Sequence, residues 1–222
     1  MMKLLRITVF VTFSITYTIF VSGQKNDPTP EDMLNFYTNE VKLLNLKNGD
    51  TLVDIGAGGG SINGMYSIVR SNLYQILTDI DKKKLNEKIV KSNYKYLKKL
   101  YHPTNSFSYS LLIHNQDSIP LKSKSFDKIL CRRSFHEFAK PIEMLKEIHR
   151  ILNDSGNAVV IEGLPEKEGE KEPFCKKPFL KAEYIISVFT QNGFQLQNQT
   201  EEIMSFDNYR KFCILTFKKA YR

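Results

Sequence analysis

A glycine-rich stretch, TLVDIGAGGGS at positions 51–61, is the part of the chain that most directly indicates chemistry. A dinucleotide fingerprint needs glycine or alanine where Ser61 stands, and the Gly-Lys-Ser/Thr of a Walker loop is absent. The spacing instead places Asp54 ahead of glycines at every second position, Gly56, Gly58 and Gly60. Glycine lets a ligand approach the backbone closely, so the stretch predicts a binding loop for something other than a pyrophosphate. A purely structural turn is the alternative.

Two acidic residues end the next apolar run. Asp79 lies 23 positions beyond Gly56, where a carboxylate can accept hydrogen bonds from both hydroxyls of a ribose. Asp81 competes for that role, but three lysines follow it, and we expect Asp81 to cap a helix.

Strand-like and helical segments alternate along the chain and must position these residues. The strands are predicted at Thr51–Ile55, Tyr74–Thr78, Tyr109–Asn115, Phe126–Cys131, Ala158–Ile161, Phe194–Thr200 and Arg210–Phe217. The helices are predicted from Pro30 to about Leu44 and at Ser61–Arg70, Lys82–Leu100, Pro141–Leu152 and Leu180–Asn192. This alternation predicts one α/β domain, a Rossmann-like, doubly wound and mostly parallel sheet of seven strands. The last strand is expected to be antiparallel, because no helix separates it from the strand before it.

Four segments in this order resemble the class I S-adenosylmethionine-dependent methyltransferases, and the resemblance runs from about residue 31 to the end. They are "LVDIGAGGG", "ILTDID", "NQDSIPLKSKSFDKILCRRSFHEF" and "PIEMLKEIHRILNDSGNAVVIE". The resemblance is closest to the branch that contains the ubiquinone and menaquinone C-methyltransferases. It implies a methyltransferase domain over residues 30–222 and S-adenosylmethionine as the cofactor.

The resemblance also implies roles for individual residues. The free N–H groups of the helix that begins near Ser61 suit the carboxylate of the cofactor's methionine portion, and Asp54 would face its ammonium group. Asp117 would accept a hydrogen bond from the adenine amino group, with Ser118 and Ile119 beside the ring; an Asx turn before Pro120 is the alternative for Asp117. The cofactor-binding residues implied are Asp54, Gly56, Ala57, Gly58, Gly60, Asp79, Ile80, Asp117, Ser118 and Arg132.

The segment after the fourth strand is where members of this family face the methyl group. His136 is the candidate general base for a hydroxyl or an acidic carbon; a polar residue that holds the strand end is the alternative. Arg132 and Arg133 would hold an anionic substrate or simply belong to a solvated loop. No Asn/Asp-Pro-Pro-Tyr and no Pro-Cys follows this strand, which argues against nucleic-acid acceptors. We therefore expect methylation of an oxygen or carbon atom of a small molecule.

The N-terminus has the pattern of a signal peptide. Lys3 and Arg6 precede an apolar run from Ile7 to Val21 and the small residues Ser22 and Gly23. Residues 1–23 are thus predicted to be a signal peptide, or an uncleaved membrane anchor, and residues 24–29 a linker. The protein would be exported, periplasmic or secreted, or attached to a membrane. Because the cofactor is made in the cytoplasm, the alternative function is an exported, non-catalytic nucleotide-type binding module that retains the methyltransferase fold.

Charge and cysteine content add two expectations. The net charge is +8, and five lysines at helical spacing predict a basic stripe, either a solvated face or a landing surface for an anionic membrane. These are Lys84, Lys88, Lys91, Lys95 and Lys98. The three cysteines show no CxxC pair and no metal-ligand spacing with the four histidines, so we predict no metal site.

Overall fold

The structure is a computed structural model that describes residues 28–200, 203–204 and 210–220. The predicted signal peptide, residues 1–23, and residues 24–27 of the predicted linker lie outside the described residues. The described part begins with a helix that Thr29 caps, because its side chain accepts from the backbone N–H of Asp32 while the Asp32 carboxylate accepts from Thr29.

Helices and strands alternate as the sequence predicts. The helices are α1 (Pro30–Leu43), α2 (Ser61–Val69), α3 (Glu87–Tyr101), α4 (Pro141–Ile151) and α5 (Ala182–Gln191), with a 3-10 helix at Phe135–Glu137. The strands are β1 (Thr51–Ile55), β2 (Tyr74–Asp79), β3 (Ser108–Ile113), β4 (Phe126–Arg132), β5 (Leu152–Gly163), β6 (Phe194–Gln199), β7 (Ile203–Met204) and β8 (Lys211–Lys219).

These strands form one mixed sheet in the order β3-β2-β1-β4-β5-β8-β6. The strands β1 to β5 pair in parallel, and β8 runs antiparallel to both β5 and β6. The prediction of a doubly wound, mostly parallel sheet with an antiparallel last strand is confirmed; the two-residue β7, which pairs with β8, was not predicted. The strand order reverses between β1 and β4, and ligands of such sheets bind outside the carboxyl ends of the strands at this point.

Apolar side chains cover both faces of the sheet. Val53 of β1 packs in the cluster that α4 and α5 form with one face, whereas Leu52 packs with α1 and α2 on the other. This alternation along a strand buried on both sides is the pattern of a parallel sheet between two helix layers. No helix among the described residues is both long and apolar enough to cross a membrane.

Two element starts differ from the predictions by several residues, while the other boundaries differ by at most two. α3 begins at Glu87, not Lys82, and its cap is Asn86, whose side chain accepts from the N–H of Ile89. The prediction that Asp81 caps this helix is therefore wrong; its carboxylate accepts from the N–H of Lys83 within a turn. Strand β5 begins at Leu152, not Ala158. Residues 153–157, between the predicted helix and the predicted strand, therefore belong to β5, where the register with β4 shifts.

The later start of α3 also changes the lysine stripe. Lys88, Lys91, Lys95 and Lys98 are exposed on α3. Lys84 lies in the turn ahead of the helix, where its ammonium group is 3.7 Å from the Glu137 carboxylate. The stripe on the helix thus has four lysines, and its binding to an anionic membrane stays a prediction.

Candidate active site

A cavity of about 1230 Å³ opens at the carboxyl ends of β1, β2 and β4. Its walls include the glycine loop, the turn after β2, the 3-10 helix and part of the loop that precedes α5. The volume exceeds the roughly 300–1,000 Å³ usual for one small-molecule ligand, so the cavity has room for two molecules side by side.

Backbone geometry explains why the loop after β1 needs glycine. Gly56 has φ +84°, and a Cβ on it would lie 2.4 Å from the Cβ of Ser134. Gly60 has φ +71°, and a Cβ there would lie 2.6 Å from a methyl carbon of Leu77. Gly60 is also the N-cap of α2 and provides no side-chain cap, so the first N–H groups of α2 remain available to a ligand.

Asp79 at the end of β2 is fixed by two backbone groups. One carboxylate oxygen accepts from the N–H of Gly58 at 3.0 Å, and the other accepts from the N–H of Asp81 at 2.9 Å. A carboxylate has about four acceptor positions, so each oxygen can still accept from a ligand in the cavity that Asp79 lines.

Asp54 is buried next to this loop. Its Oδ2 accepts from the side-chain amide of Asn63 on α2 at 2.9 Å, whereas its Oδ1 is buried without a hydrogen-bond partner. Burial raises the pKa of Asp54 to about 7, although the bond from Asn63 lowers it. Such a carboxyl favours a cationic donor nearby, because a positive charge stabilises its ionised form.

Arg132 ends β4 beside the cavity and is committed to Glu40 of α1. The guanidinium donates to both Glu40 oxygens, at 2.9 and 3.0 Å. Glu40 is buried, and the hydroxyl of Tyr66 also donates to it. Arg132 therefore ties α1 to the end of β4. Sequence reasoning missed Glu40, which stands 92 positions from Arg132 in the chain.

His136 on the 3-10 helix is held by a buried carboxylate. Its Nδ1 lies 2.8 Å from Oε2 of Glu162, the last residue but one of β5. Because a carboxylate can only accept, Nδ1 carries the proton, and Nε2 has a lone pair when the ring is neutral. Burial lowers the pKa of His136, but the hydrogen bond and charge of Glu162, with the charges of Glu137 and Glu172, outweigh it and raise the pKa above its usual value.

Cys175 contacts His136: its Sγ lies 3.4 Å from Nε2 of the imidazole. The loop that carries it is fixed by Glu172, whose carboxylate accepts from the N–H groups of Phe174 and Cys175 and pairs with Arg133 at 3.2 Å. Burial first, and then the charges of Glu137 and Glu172, raise the pKa of the Cys175 thiol. Sequence spacing gave no signal for this contact.

Comparison with known proteins relates the chain to methyltransferases. A family model described as a methyltransferase domain matches residues 53–160. A SAM-dependent methyltransferase from Aquifex aeolicus has a similar structure, with 19% identity, a TM-score of 0.60, and coverage of 87% of this chain and 95% of that one. A SAM-dependent methyltransferase from Methanosarcina mazei matches at 14% identity and TM-score 0.63 over 88% and 100% of the two chains.

The matched methyltransferase domain and the shared fold support assignment of the chain to the class I S-adenosylmethionine-dependent methyltransferase family. The same findings support a SAM-dependent methyltransferase with S-adenosylmethionine as its cofactor. The [4+2]-cyclase SpnF shares the fold, at 15% identity and TM-score 0.68 over 90% of this chain and 86% of that one. The identities are low, so these structures establish the fold, while the acceptor has to be argued from the site. No curated protein sequence matches the chain.

The residues of this methyltransferase fit S-adenosylmethionine. The N-terminus of α2 is open to the methionine carboxylate, and the partnerless oxygen of Asp54 suits the ammonium group. The free acceptor positions of Asp79 suit the ribose hydroxyls. When bound, the cofactor supplies an electrophilic methyl group on a sulfonium ion.

The predicted site residues fall into three sets. The cavity is lined by Gly56, Ala57, Gly58, Asp79, Ile80, Arg132 and His136. Gly60 and Asp54 lie behind that wall. Asp117 and Ser118 are not brought to the cavity, because they belong to a turn in which the Asp117 carboxylate points to Lys140 at 2.6 Å.

His114, one residue beyond β3, lines the methyltransferase cavity near the place predicted for Asp117. Its Nδ1 lies 2.6 Å from the carbonyl oxygen of Asn115 and so carries the proton, and its Nε2 is buried without a partner. That nitrogen is a free acceptor suited to an amino group. A signal for His114 was available in the sequence, since it stands near the end of the predicted strand Tyr109–Asn115, at the edge of the sheet where ligands bind.

Proposed function

We propose that this methyltransferase transfers a methyl group to an oxygen or carbon atom of a small molecule. The observation that carries the proposal is His136 in the cavity lining, with its Nδ1 held by the buried Glu162 and its Nε2 next to Cys175, which also lines the cavity. A base of this kind is needed for a hydroxyl or an acidic carbon, whose proton must leave as the methyl group arrives.

The chain contributes positioning and proton transfer. The glycine loop and Asp79 fix the cofactor, and the remaining volume of the cavity holds the acceptor in line with the methyl group, which accounts for a large part of such rate enhancements. Nε2 of His136 takes the acceptor's proton. Glu162 then stabilises the imidazolium through its 2.8 Å contact with Nδ1, because a carboxylate next to a histidine favours its charged form.

The test is a methyl-transfer assay with isotopically labelled S-adenosylmethionine and a panel of phenols, alcohols, carbon acids, amines, RNA and protein. We expect label on an oxygen or carbon atom of a small acceptor. His136→Gln should lower kcat by about 10²–10⁴-fold, the usual contribution of a general base, and leave the affinity for the cofactor unchanged. His102→Gln, at an exposed position that ends α3, serves as the matched control. Label only on nitrogen or on macromolecules would contradict the proposal.

Export through residues 1–23 stays a prediction, and it is testable on the protein itself. We expect mass spectrometry of the protein recovered from its native host to find a mature N-terminus after Gly23. An intact Met1 or Met2 would rule out cleavage and leave the membrane anchor.

A further inference from the structure

Three side chains with metal-binding atoms meet in the wall of the cavity. His136 and Glu137 are neighbours on the 3-10 helix, and Cys175 comes from the loop before α5. One nitrogen, one carboxylate oxygen and one sulfur from these residues all lie within 4.8 Å of one another. All three residues line the cavity. We call them the His-Glu-Cys cluster.

The distance between nitrogen and sulfur suits a shared cation. A zinc ion bonds sulfur at about 2.3 Å and imidazole nitrogen at about 2.0–2.1 Å, and a tetrahedral angle then separates the two ligand atoms by about 3.5 Å. In this structure Nε2 of His136 and Sγ of Cys175 are 3.4 Å apart. The two atoms therefore need almost no movement to bind one ion.

Glu162 holds the histidine in the form that binds metals. Because Nδ1 of His136 donates to the Glu162 carboxylate at 2.8 Å, the lone pair lies on Nε2, the nitrogen that faces Cys175. Glu162 is buried, and its other oxygen accepts from the backbone N–H of His136 at 3.2 Å. A carboxylate behind a ligating histidine is a recurrent feature of zinc sites, where it fixes the tautomer and the ring orientation.

The charges around the cluster favour a cation. Glu162 contacts His136, the Glu172 carboxylate accepts from the N–H of Cys175, and Glu137 belongs to the cluster itself. Arg133 pairs with Glu172, and Lys84 approaches Glu137 only at 3.7 Å and with both side chains more than 40% exposed. An exposed pair of this kind contributes little, so the Glu137 carboxylate can turn to an ion without a large loss.

We propose that the His-Glu-Cys cluster binds one soft divalent cation of the Zn²⁺ type through Nε2 of His136, Sγ of Cys175 and a carboxylate oxygen of Glu137. Thiolate, imidazole and carboxylate are the ligands that zinc takes in proteins, and three protein ligands leave a fourth position open, here towards the cavity. The cation and the acceptor's proton of the proposed function would both bind the lone pair on Nε2 of His136. The cation-bound form therefore cannot take the acceptor's proton.

The test uses the full chain, treated with a chelator and kept reduced, without cofactor or acceptor, so that its result does not depend on methyl transfer. Titration with Co²⁺ should give the visible bands of a tetrahedral ion and a thiolate-to-metal band in the ultraviolet, saturating at one ion per chain. Zn²⁺ should displace the cobalt. Bound Zn²⁺ should also protect Cys175 from alkylation, as mass spectrometry of the unmutated protein would show.

Matched variants separate the cluster from other thiols. Glu162→Gln should weaken binding by roughly 10–100-fold, the usual effect of losing the group behind a ligating histidine, and Cys175→Ser should weaken it further and remove the thiolate band. Cys213→Ala, which removes a buried thiol of β8, should change neither. Cobalt spectra without a thiolate band, or unchanged alkylation of Cys175 at saturating Zn²⁺, would overturn the proposal and leave a hydrogen bond between Cys175 and His136.

Discussion

The two walls of the cavity are built in different ways. We call residues 54–61 together with Asp79 the glycine wall, and residues 132–138 and 172–177 together with Glu162 the histidine wall. Both names include residues that lie behind the cavity lining, among them Asp54, Gly60 and Glu162. The glycine wall is shaped by backbone: positive φ angles at Gly56, Gly58 and Gly60, and N–H groups that hold Asp79. The histidine wall is shaped by side chains that pair with one another.

The two walls differ in how many of their carboxylate oxygens have a hydrogen-bond donor or an ion-pair partner. In the histidine wall, Glu162 holds His136, and Glu172 holds Arg133 and two N–H groups. In the glycine wall, Asp79 keeps free acceptor positions and Asp54 has an oxygen without any partner. Unmet acceptors that are held rigidly mark where a ligand's donors belong, so we expect the cofactor to bind at the glycine wall.

The largest expected effect comes from Asp54. Its pKa is about 7 in the folded chain and near 3.9 when unfolded, so the folded state keeps a proton that the unfolded state releases. Stability is therefore lost as the pH rises from about 4 to about 7, by up to roughly 4 kcal/mol. Asp54→Asn should remove this loss and make the chain more stable than the unmutated protein at pH 8 but not at pH 4.5. Urea unfolding at both pH values measures the difference.

Other carboxylates do not disturb this measurement, since they titrate equally in both proteins and cancel in the difference between them. A stability difference that is the same at pH 4.5 and pH 8 would show that Asp54 is ionised throughout. The partnerless oxygen of Asp54 would then not indicate a binding position for the ammonium group of the cofactor. The contrast between the two walls would weaken.

The second effect concerns Asp79 and its neighbour. If both ribose hydroxyls donate to Asp79, Asp79→Ala removes charge-assisted bonds worth roughly 1.5–3 kcal/mol each, and cofactor affinity falls tenfold or more. Asp81→Ala removes the same charge from the same turn but only a local bond to Lys83, so its affinity should change little. Calorimetric titration with S-adenosylmethionine compares them. Equal losses would mean that general electrostatics, and not a ribose contact, explains the effect.

The third effect tests whether backbone shape controls the glycine wall. Gly56 and Gly49 both have φ +84°, but only at Gly56 would a Cβ collide with Ser134; at Gly49 nothing lies within 4 Å. Gly49→Ala should cost about 1–2 kcal/mol of stability, the cost of left-handed backbone. Gly56→Ala should cost more and also lower cofactor affinity. Thermal unfolding and titration measure the two losses, and similar values for both variants would argue against a special role for Gly56.

The sequence allowed the glycine wall to be predicted far better than the histidine wall. The loop from Gly56 to Gly60 and the carboxylate of Asp79 are local features, each next to the strand that positions it. The pairs Arg132–Glu40 and His136–Glu162 join residues 92 and 26 positions apart, and no local pattern announces such contacts. The position of Cys175 depends in addition on the conformation of a loop without regular secondary structure.

Two predictions depended on turn and cap residues. Asp117 was expected at the adenine ring; its carboxylate contacts Lys140 and His114 lines the cavity nearby, so the adenine role of Asp117 stays a prediction. Asp81 was expected to cap α3, but the better signal was Asn86 directly before Glu87, since asparagine is among the preferred N-cap residues. The cap at Asn86 was therefore predictable from the sequence.

The smallest expected effect is that of a change at Glu172, which tests whether the two walls are independent of each other. Glu172→Gln keeps the shape of the side chain but removes the charge that pairs with Arg133 and receives two N–H groups. Charged hydrogen bonds are worth about 1 kcal/mol more than neutral ones, so stability should fall by about that amount and limited proteolysis should cut the loop around residues 165–178 faster.

Glu168→Gln, on an exposed position of the same loop, is the control. Cofactor affinity should stay within about twofold of the unmutated value in both variants, because the ion pair and hydrogen bonds of the Glu172 carboxylate are with residues of the histidine wall. A tenfold loss of affinity in Glu172→Gln alone, comparable to that of Asp79→Ala, would show that the side-chain network of one wall fixes the backbone of the other, and the division drawn between them would fail.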